Sequence, residues 1–318
     1  MTGIFLLSLS LSVMAHLAAS SEYNVTDALS SLYYVKATYC DVWHVASWNC
    51  SVCKEYHPSL TGVLTEYDGI FDTFSFSGYD PVRDEIVVAF RGTVPSKIQN
   101  WIVDLSSKQI PYLTCDDVPL CMVHEGFFLA WELQKPGVMA NFIALHSRFP
   151  TANIVVTGHS LGAALATWAA VNIIDNLTAS GTPQADIPLT VYNFGSPRVG
   201  NLPFSIFVQK RLPEGKIFRV THARDWVPHL PPMGLCIDPL NGSYVHVPHE
   251  LWYNSSLATD EKHCADLGPN AWVCQEDLSC ADTYDLFWEW KLVDHMMYLG
   301  LCTSCNVSPS GNPPSCPL

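Results

Sequence analysis

Basic residues are scarce in this chain. Lys and Arg number 16 against 30 Asp and Glu, and charged residues make up only 14% of a sequence with formal charge −14. So acidic a surface argues against nucleic acid or an anionic membrane surface as the main partner. Solubility outside a cell is the simpler use of that charge. Long apolar runs are missing too: after the first twenty residues no segment can span a bilayer. No internal repeat and no linker interrupts the chain before about Cys302, which implies one large domain. Zinc-finger spacing is also absent. Cys50-x-x-Cys53 has no second pair at finger distance, and Cys302-x-x-Cys305 stands in a Ser/Pro-rich tail. No metal ion and no organic cofactor is therefore expected.

What the chain does have points to secretion. The first twenty residues carry no charge, hold Ile4 to Leu7 and Leu9 to Met14, and end in Ala18-Ala19-Ser20. That pattern predicts a signal peptide over residues 1–20. A membrane anchor is the competing reading, but the run is short and broken by Ser and His16. Twelve cysteines, all beyond the leader, permit up to six disulfides in an oxidising compartment. Asn-x-Ser/Thr sequons at Asn24, Asn49, Asn176, Asn241, Asn254 and Asn306 agree with an extracellular glycoprotein.

Element patterns alternate. Asp27 to Thr38 reads as an amphipathic helix, Gly62 to Tyr67 with Phe71 to Tyr79 as a hairpin, and Glu85 to Phe90 as a buried strand. Phe127 to Phe149 is mostly helical, with Pro136-Gly137 as an interruption. Strands follow at Ile154, Leu189 to Phe194 and Lys216 to Val220, and Leu286 to Tyr298 reads as a helix. Short apolar strands separated by helices imply an α/β fold, a mostly parallel sheet with helices on both faces.

Thr157-Gly158-His159-Ser160-Leu161-Gly162 lies between the apolar run Ile154-Val155-Val156 and the small-residue helix Ala163 to Ala170. Strand, Gly-x-Ser-x-Gly turn and helix together describe a nucleophile elbow. The strained turn needs neighbours without side chains, which Gly158 and Gly162 provide. It lifts Ser160 above the strand end and leaves the Leu161 amide free for a developing oxyanion.

A nucleophilic serine needs an imidazole base and a carboxylate to orient it, in the chain order Ser, acid, His. Asp225 fits the acid, because Lys216 to Val220 delivers it to the sheet end. Asp238 also follows Ser160 but has no clear strand feeding it. Five histidines lie downstream of Asp225: His229, His246, His249, His263 and His295. Residue reasoning favours His295, flanked by Val293, Met296 and Met297 with Cys302 near, and leaves His246 as the second candidate.

These pieces resemble the class 3 lipases, secreted filamentous-fungal triacylglycerol lipases and their feruloyl esterase relatives, from about Ala28 to Cys302. Besides the elbow, the matching motifs are Phe90-Arg91-Gly92-Thr93, Asn100 to Leu105 and Val123-His124-Glu125-Gly126-Phe127. Asn193 to Asn201 and Asp225 to Pro232 complete the set. The resemblance implies an α/β-hydrolase fold with a short helical lid over residues 21–302, and a Ser/Pro/Cys-rich tail over 303–318. It implies Ser160, Asp225 and His295 as the catalytic triad, and a structural role for His246. Thr93 and Leu161 become the oxyanion donors, and His124 a support beside the elbow.

Ile98, Trp101, Ile102 and Leu105 form one apolar stripe after Pro95. Residues alone favour a buried core helix there; the resemblance turns the stripe into the lid, with Ile98, Trp101 and Ile102 facing substrate. It also implies the disulfides Cys40–Cys302, Cys50–Cys53 and Cys115–Cys121. Cys236, Cys264, Cys274, Cys280, Cys305 and Cys316 are left unassigned, and the stretch from about Tyr253 to Thr283 departs from the compact fungal pattern. The expected activity is hydrolysis of acylglycerols or other lipid esters at an oil–water interface, through transient lipid-surface contact rather than membrane insertion. The alternatives are an esterase for phospholipid, galactolipid or feruloyl esters, and a silent lipid-binding scaffold.

Overall fold

The computed structural model describes residues 23–115, 118–233, 243–254, 261–263, 280–281, 289–305 and 316. The expected signal peptide, most of the stretch from Tyr253 to Thr283, and Cys236, Cys264 and Cys274 lie outside these residues. The chain enters through α1 (Val25–Thr38), α2 (Val42–Ala46) and α3 (Ser51–Tyr56). The Asn24 side chain starts α1 by accepting from the Thr26 and Asp27 amides, as an N-cap should. Next come β1 (Thr61–Asp68), β2 (Thr73–Asp80), β3 (Glu85–Phe90), α4 (Ile98–Asp104), β4 (Gln109–Pro111) and β5 (Met122–His124). They are followed by α5 (Glu125–Arg148), β6 (Asn153–His159), α6 (Leu161–Ala179), β7 (Leu189–Phe194), α7 (Leu202–Arg211) and β8 (Ile217–His222). The chain closes through β9 (Glu250–Tyr253), β10 (Glu261–His263), α8 (Leu292–His295), β11 (Met297–Tyr298) and β12 (Leu301–Cys302).

The main sheet is 8-stranded, in the order β1-β2-β3-β6-β7-β8-β9-β10. β3, β6, β7, β8 and β9 pair in parallel, while β1, β2 and β10 add antiparallel edges. Alternate residues of β3 serve opposite faces, as pleating requires. Ile86, Val88 and Phe90 pack into a core with α5, α6 and α7, whereas Val87 and Ala89 pack into a second core with α1. Helices thus cover both faces, and the strands read as continuous apolar runs because each face is buried.

Three expectations change. α5 runs through Pro136 without a break. Its Trp131, Gln134, Val138 and Phe142 are buried against the sheet, and that burial outweighs the roughly 3 kcal/mol a mid-helix proline costs. The helix expected over Leu286 to Tyr298 is confined, in the described part, to Leu292–His295, after which the chain turns into the β11–β12 hairpin. Cys40 bridges Cys305 rather than Cys302, and Cys302 bridges Cys316. Past the hairpin the chain sets the Cys305 sulfur against Cys40, while the Cys302 sulfur faces Cys316. Cys50–Cys53 and Cys115–Cys121 form as expected.

Candidate active site

The parallel strands deliver the reactive groups to one edge. Ser160 sits between β6 and α6 with φ 59° and ψ −131°, a left-hand-side backbone that a β-carbon resists. Close packing around it accounts for the glycines. A methyl at Gly158 would lie 2.1 Å from the Gly162 carbonyl oxygen, and one at Gly162 would lie 2.5 Å from that of Phe90. Ser160 is fully buried, and its hydroxyl has no hydrogen-bond partner. Leu161 supplies the first helical amide, which has no intrahelical acceptor.

β3 ends beside this elbow. A methyl added at Gly92 would stand 2.7 Å from the Ser160 Cβ, so Arg91-Gly92-Thr93 passes directly over the serine. The Thr93 Oγ1 is buried and, like the serine hydroxyl, has no hydrogen-bond partner.

β8 carries the chain to Asp225 through a turn in which the Asp225 amide donates to the His222 carbonyl. His295 closes α8, fully buried, and its Nδ1 lies 2.8 Å from Asp225 Oδ2. An ionised carboxylate can only accept, so Nδ1 carries the proton and Nε2 is left as the bare base. That Nε2 also has no partner. Burial alone would raise the Asp225 carboxyl. The His295 ring, the Tyr298 hydroxyl and the Val227 amide instead hold it below the usual carboxylate value. Tyr298 donates to the same oxygen as His295, and burial with that carboxylate pushes its own pKa far up.

The acid and base loops are stitched together. The Lys291 amide donates to the Arg224 carbonyl at 2.7 Å, the Arg224 amide to Asp294 Oδ2 at 3.1 Å, and His222 Nδ1 to the Asp294 carbonyl at 2.9 Å. His159 adds a brace behind the elbow. Its Nε2 donates to the His295 carbonyl at 2.8 Å, so its Nδ1 must accept from the Tyr39 hydroxyl at 2.6 Å. Sequence reasoning missed Tyr298, Asp294, His222, His159 and Tyr39. Asp294 and Tyr298 stand close to His295 in sequence and His159 next to Ser160, a proximity that could have marked them; Tyr39 carries no such signal.

α4 lies across these loops. Ile98 and Ile102 are buried and form a cluster with Val227, while Trp101, Trp226, Leu230 and Leu292 pack around them. Val227 is two positions from Asp225 and Leu292 three from His295, so the apolar stripe rests on the loops that carry the acid and the base. On the opposite face of α4, Val103 is 81% exposed. His246 is held elsewhere, its Nε2 2.8 Å from the Pro228 carbonyl. His124 caps α5 and bonds the Ser106 carbonyl, bracing the chain that leaves α4. Among the described residues no group of His, Cys, Asp and Glu is placed to hold a metal, and no helix is long and apolar enough to cross a membrane.

Comparison with known proteins gives the same picture. The family model "Lipase (class 3)" matches residues 87–235, from β3 to just beyond the acid loop. The chain is 34% identical over 229 residues to secreted mono- and diacylglycerol lipase 1 of Fusarium solani, covering 70% of this chain and 61% of that protein. It is 31% identical over 230 residues to secreted mono- and diacylglycerol lipase A of Penicillium cyclopium, covering 70% and 68%. The chain thus spans about three-fifths of the length of the first and two-thirds of the second. The solved triacylglyceride lipase of Rhizomucor miehei superposes with TM-score 0.73 at 25% identity, over 89% of this chain and 97% of that one. With its elbow, its sheet order and relatives of this kind, the chain belongs to the class 3 lipase family.

Proposed function

We propose that the protein is a secreted lipase that hydrolyses acylglycerol esters through a Ser160–His295–Asp225 triad. The observation that carries the reading is that, of the thirteen buried side-chain polar atoms without partners among the described residues, three belong to the expected nucleophile, base and oxyanion donor: Ser160 Oγ, His295 Nε2 and Thr93 Oγ1. Buried polar atoms are nearly always satisfied, and their clustering at an elbow is what an enzyme awaiting substrate requires. Ser160 attacks the ester carbonyl while His295 Nε2 takes its proton. Asp225 holds the ring in the Nδ1–H tautomer and balances the imidazolium. The Thr93 and Leu161 amides, with the Thr93 hydroxyl, receive the oxyanion. His295 then returns the proton to the departing alcohol, and water releases the fatty acid by the reverse sequence.

α4 acts as the lid. In water its stripe rests over the acyl site; against lipid the stripe can swing outward, an equilibrium that an oil–water interface shifts. The acylglycerol substrate and the extracellular location follow from the named relatives and agree with that apolar roof. The test is a hydrolysis panel of emulsified mono-, di- and triacylglycerols beside a phospholipid, with Ser160→Ala as control. Release of fatty acid from the glycerides, abolished in the variant with the fold intact, is expected. Preference for the phospholipid would overturn the substrate, and a fully active variant the mechanism.

A further inference from the structure

One buried charge stands outside this chemistry. Lys36 on α1 is wholly removed from solvent, and its Nζ donates to the Cys302 carbonyl at 2.5 Å and the Ser304 carbonyl at 3.1 Å. Those carbonyls flank Thr303. Its amide and hydroxyl both donate to the Met296 carbonyl, at 3.0 and 3.4 Å. Met296 directly follows His295. Cys302 is also paired with Met297 across the β11–β12 hairpin, and the other strand residue, Tyr298, bonds Asp225. One ammonium therefore grips the return strand of the hairpin that sets His295 and Tyr298 against Asp225.

We propose that Lys36 is a positioning residue for the proton-transfer step, its ammonium clamping the 302–304 backbone so that His295 stays aligned between Asp225 and Ser160. The inference rests on His295 being the base. The Cys40–Cys305 and Cys302–Cys316 bridges limit how far this segment travels, but they act through side chains and do not hold the 302 and 304 carbonyls themselves. Charge-assisted bonds to the Cys302 and Ser304 carbonyls, one on each side of Thr303, hold both.

Keeping the charge there is costly. Burial pushes the Lys36 pKa down to about 8, with the Glu55 carboxylate on α3 opposing the shift. Cys40, Cys302 and Cys305 are in disulfides and do not titrate. An apolar side chain of similar length would fill much of the space without desolvating an ion, but it would take the donor from the Cys302 and Ser304 carbonyls. A clamp that acts on geometry explains what packing alone does not. Above its pKa the amine still donates, but without charge the bonds weaken.

The experiment measures kcat and KM on a soluble short-chain ester from about pH 6 to 10, for wild type, Lys36→Met and His295→Ala, with thermal midpoints. In wild type, kcat should step down several-fold around pH 8 to a lower plateau while KM holds. Lys36→Met should lie roughly tenfold down at neutral pH and lack the step, with a lowered but still cooperative thermal transition. A Lys36→Met enzyme with wild-type kcat, or one that keeps the step, would overturn the clamp. So would a wild type without the step, a result available even if the variant fails to fold. Full activity in His295→Ala would instead remove the base assignment beneath it, so the two failures are told apart.

Discussion

At the scale of single residues, the proposed chemistry rests on three oxygen and nitrogen atoms without partners, Ser160 Oγ, His295 Nε2 and Thr93 Oγ1. The Thr93 hydroxyl is the one whose role the geometry makes testable by itself. Thr93→Val keeps the amide and removes the hydroxyl. If both donors meet the oxyanion, kcat falls by roughly 10²–10³ with KM little changed, while Thr93→Ser retains activity. Unchanged kcat in Thr93→Val would leave the oxyanion to the amides alone. The nucleophile was legible at this scale because its backbone strain writes glycines into fixed neighbouring positions. The acid was legible because a strand feeds it. Residue spacing left the base open between His295 and His246, the family resemblance favoured His295, and the fold sets His295 beside Asp225 and His246 against the Pro228 carbonyl, which supports the proposed assignment. Imidazole is chemically suited to either task, so spacing could not choose.

At the scale of elements, the roof over the site is held by two unequal forces. Fully burying an aliphatic side chain such as Ile98 or Ile102 is worth about 1.5–3 kcal/mol. Lys97, just before α4, also makes an ion pair with Asp72 at 2.7 Å, but the lysine is 62% exposed and such pairs contribute about 0–1 kcal/mol. The stripe should therefore dominate. Ile98→Ser is expected to raise the rate on dissolved monomeric ester and shrink the jump at the solubility limit by about tenfold, whereas Lys97→Met changes that jump less than about fivefold. A larger effect from Lys97 would make the lid an electrostatic latch instead. The apolar period of α4 was visible in the sequence, but the same period serves a core helix, and only its packing on Val227 and Leu292 separates the two. The uninterrupted α5 and the short α8 were not visible. Tertiary burial overrode the proline in one, and the hairpin pairing of Met297 and Tyr298 cut short the other.

For the whole molecule, stability should fall in acid in two stages. Burial lowers the His124 pKa to about 4, partly offset by its bond to Ser106 and by the Glu125 charge. An unfolded histidine titrates near 6.5, so between about pH 6.5 and 4 the unfolded chain binds the extra proton and stability declines with falling pH. Below about pH 4 the depressed carboxylates take over. Asp225 is held down by His295 and Tyr298; Asp80, despite its burial, by His57, Ser59, the Val82 amide and Tyr34. Their stabilisation is present above the ordinary carboxylate pKa and is lost as pH drops through the lowered folded values. Urea midpoints measured from about pH 7 to 3 should fall throughout, and His124→Gln should lessen the slope of the upper stage, the rest of which comes from the buried His159, also held well below its usual value. A curve flat down to pH 4 would contradict this. At this scale the alternating strands and helices made the fold class legible, as burial on both faces of a parallel sheet leaves so clear a pattern. The Cys40 partner was not, because only two residues separate Cys302 from Cys305 and the path of the chain after the hairpin decides which sulfur faces Cys40.

The central claim is that His295 makes Ser160 reactive, and the rate of covalent modification tests it most directly. A phosphonate ester should label wild type once, on the Ser160 peptide, and label His295→Ala slower by roughly 10²–10⁴ with the fold intact. Equal rates in the two proteins, or label on a different residue, would contradict the account.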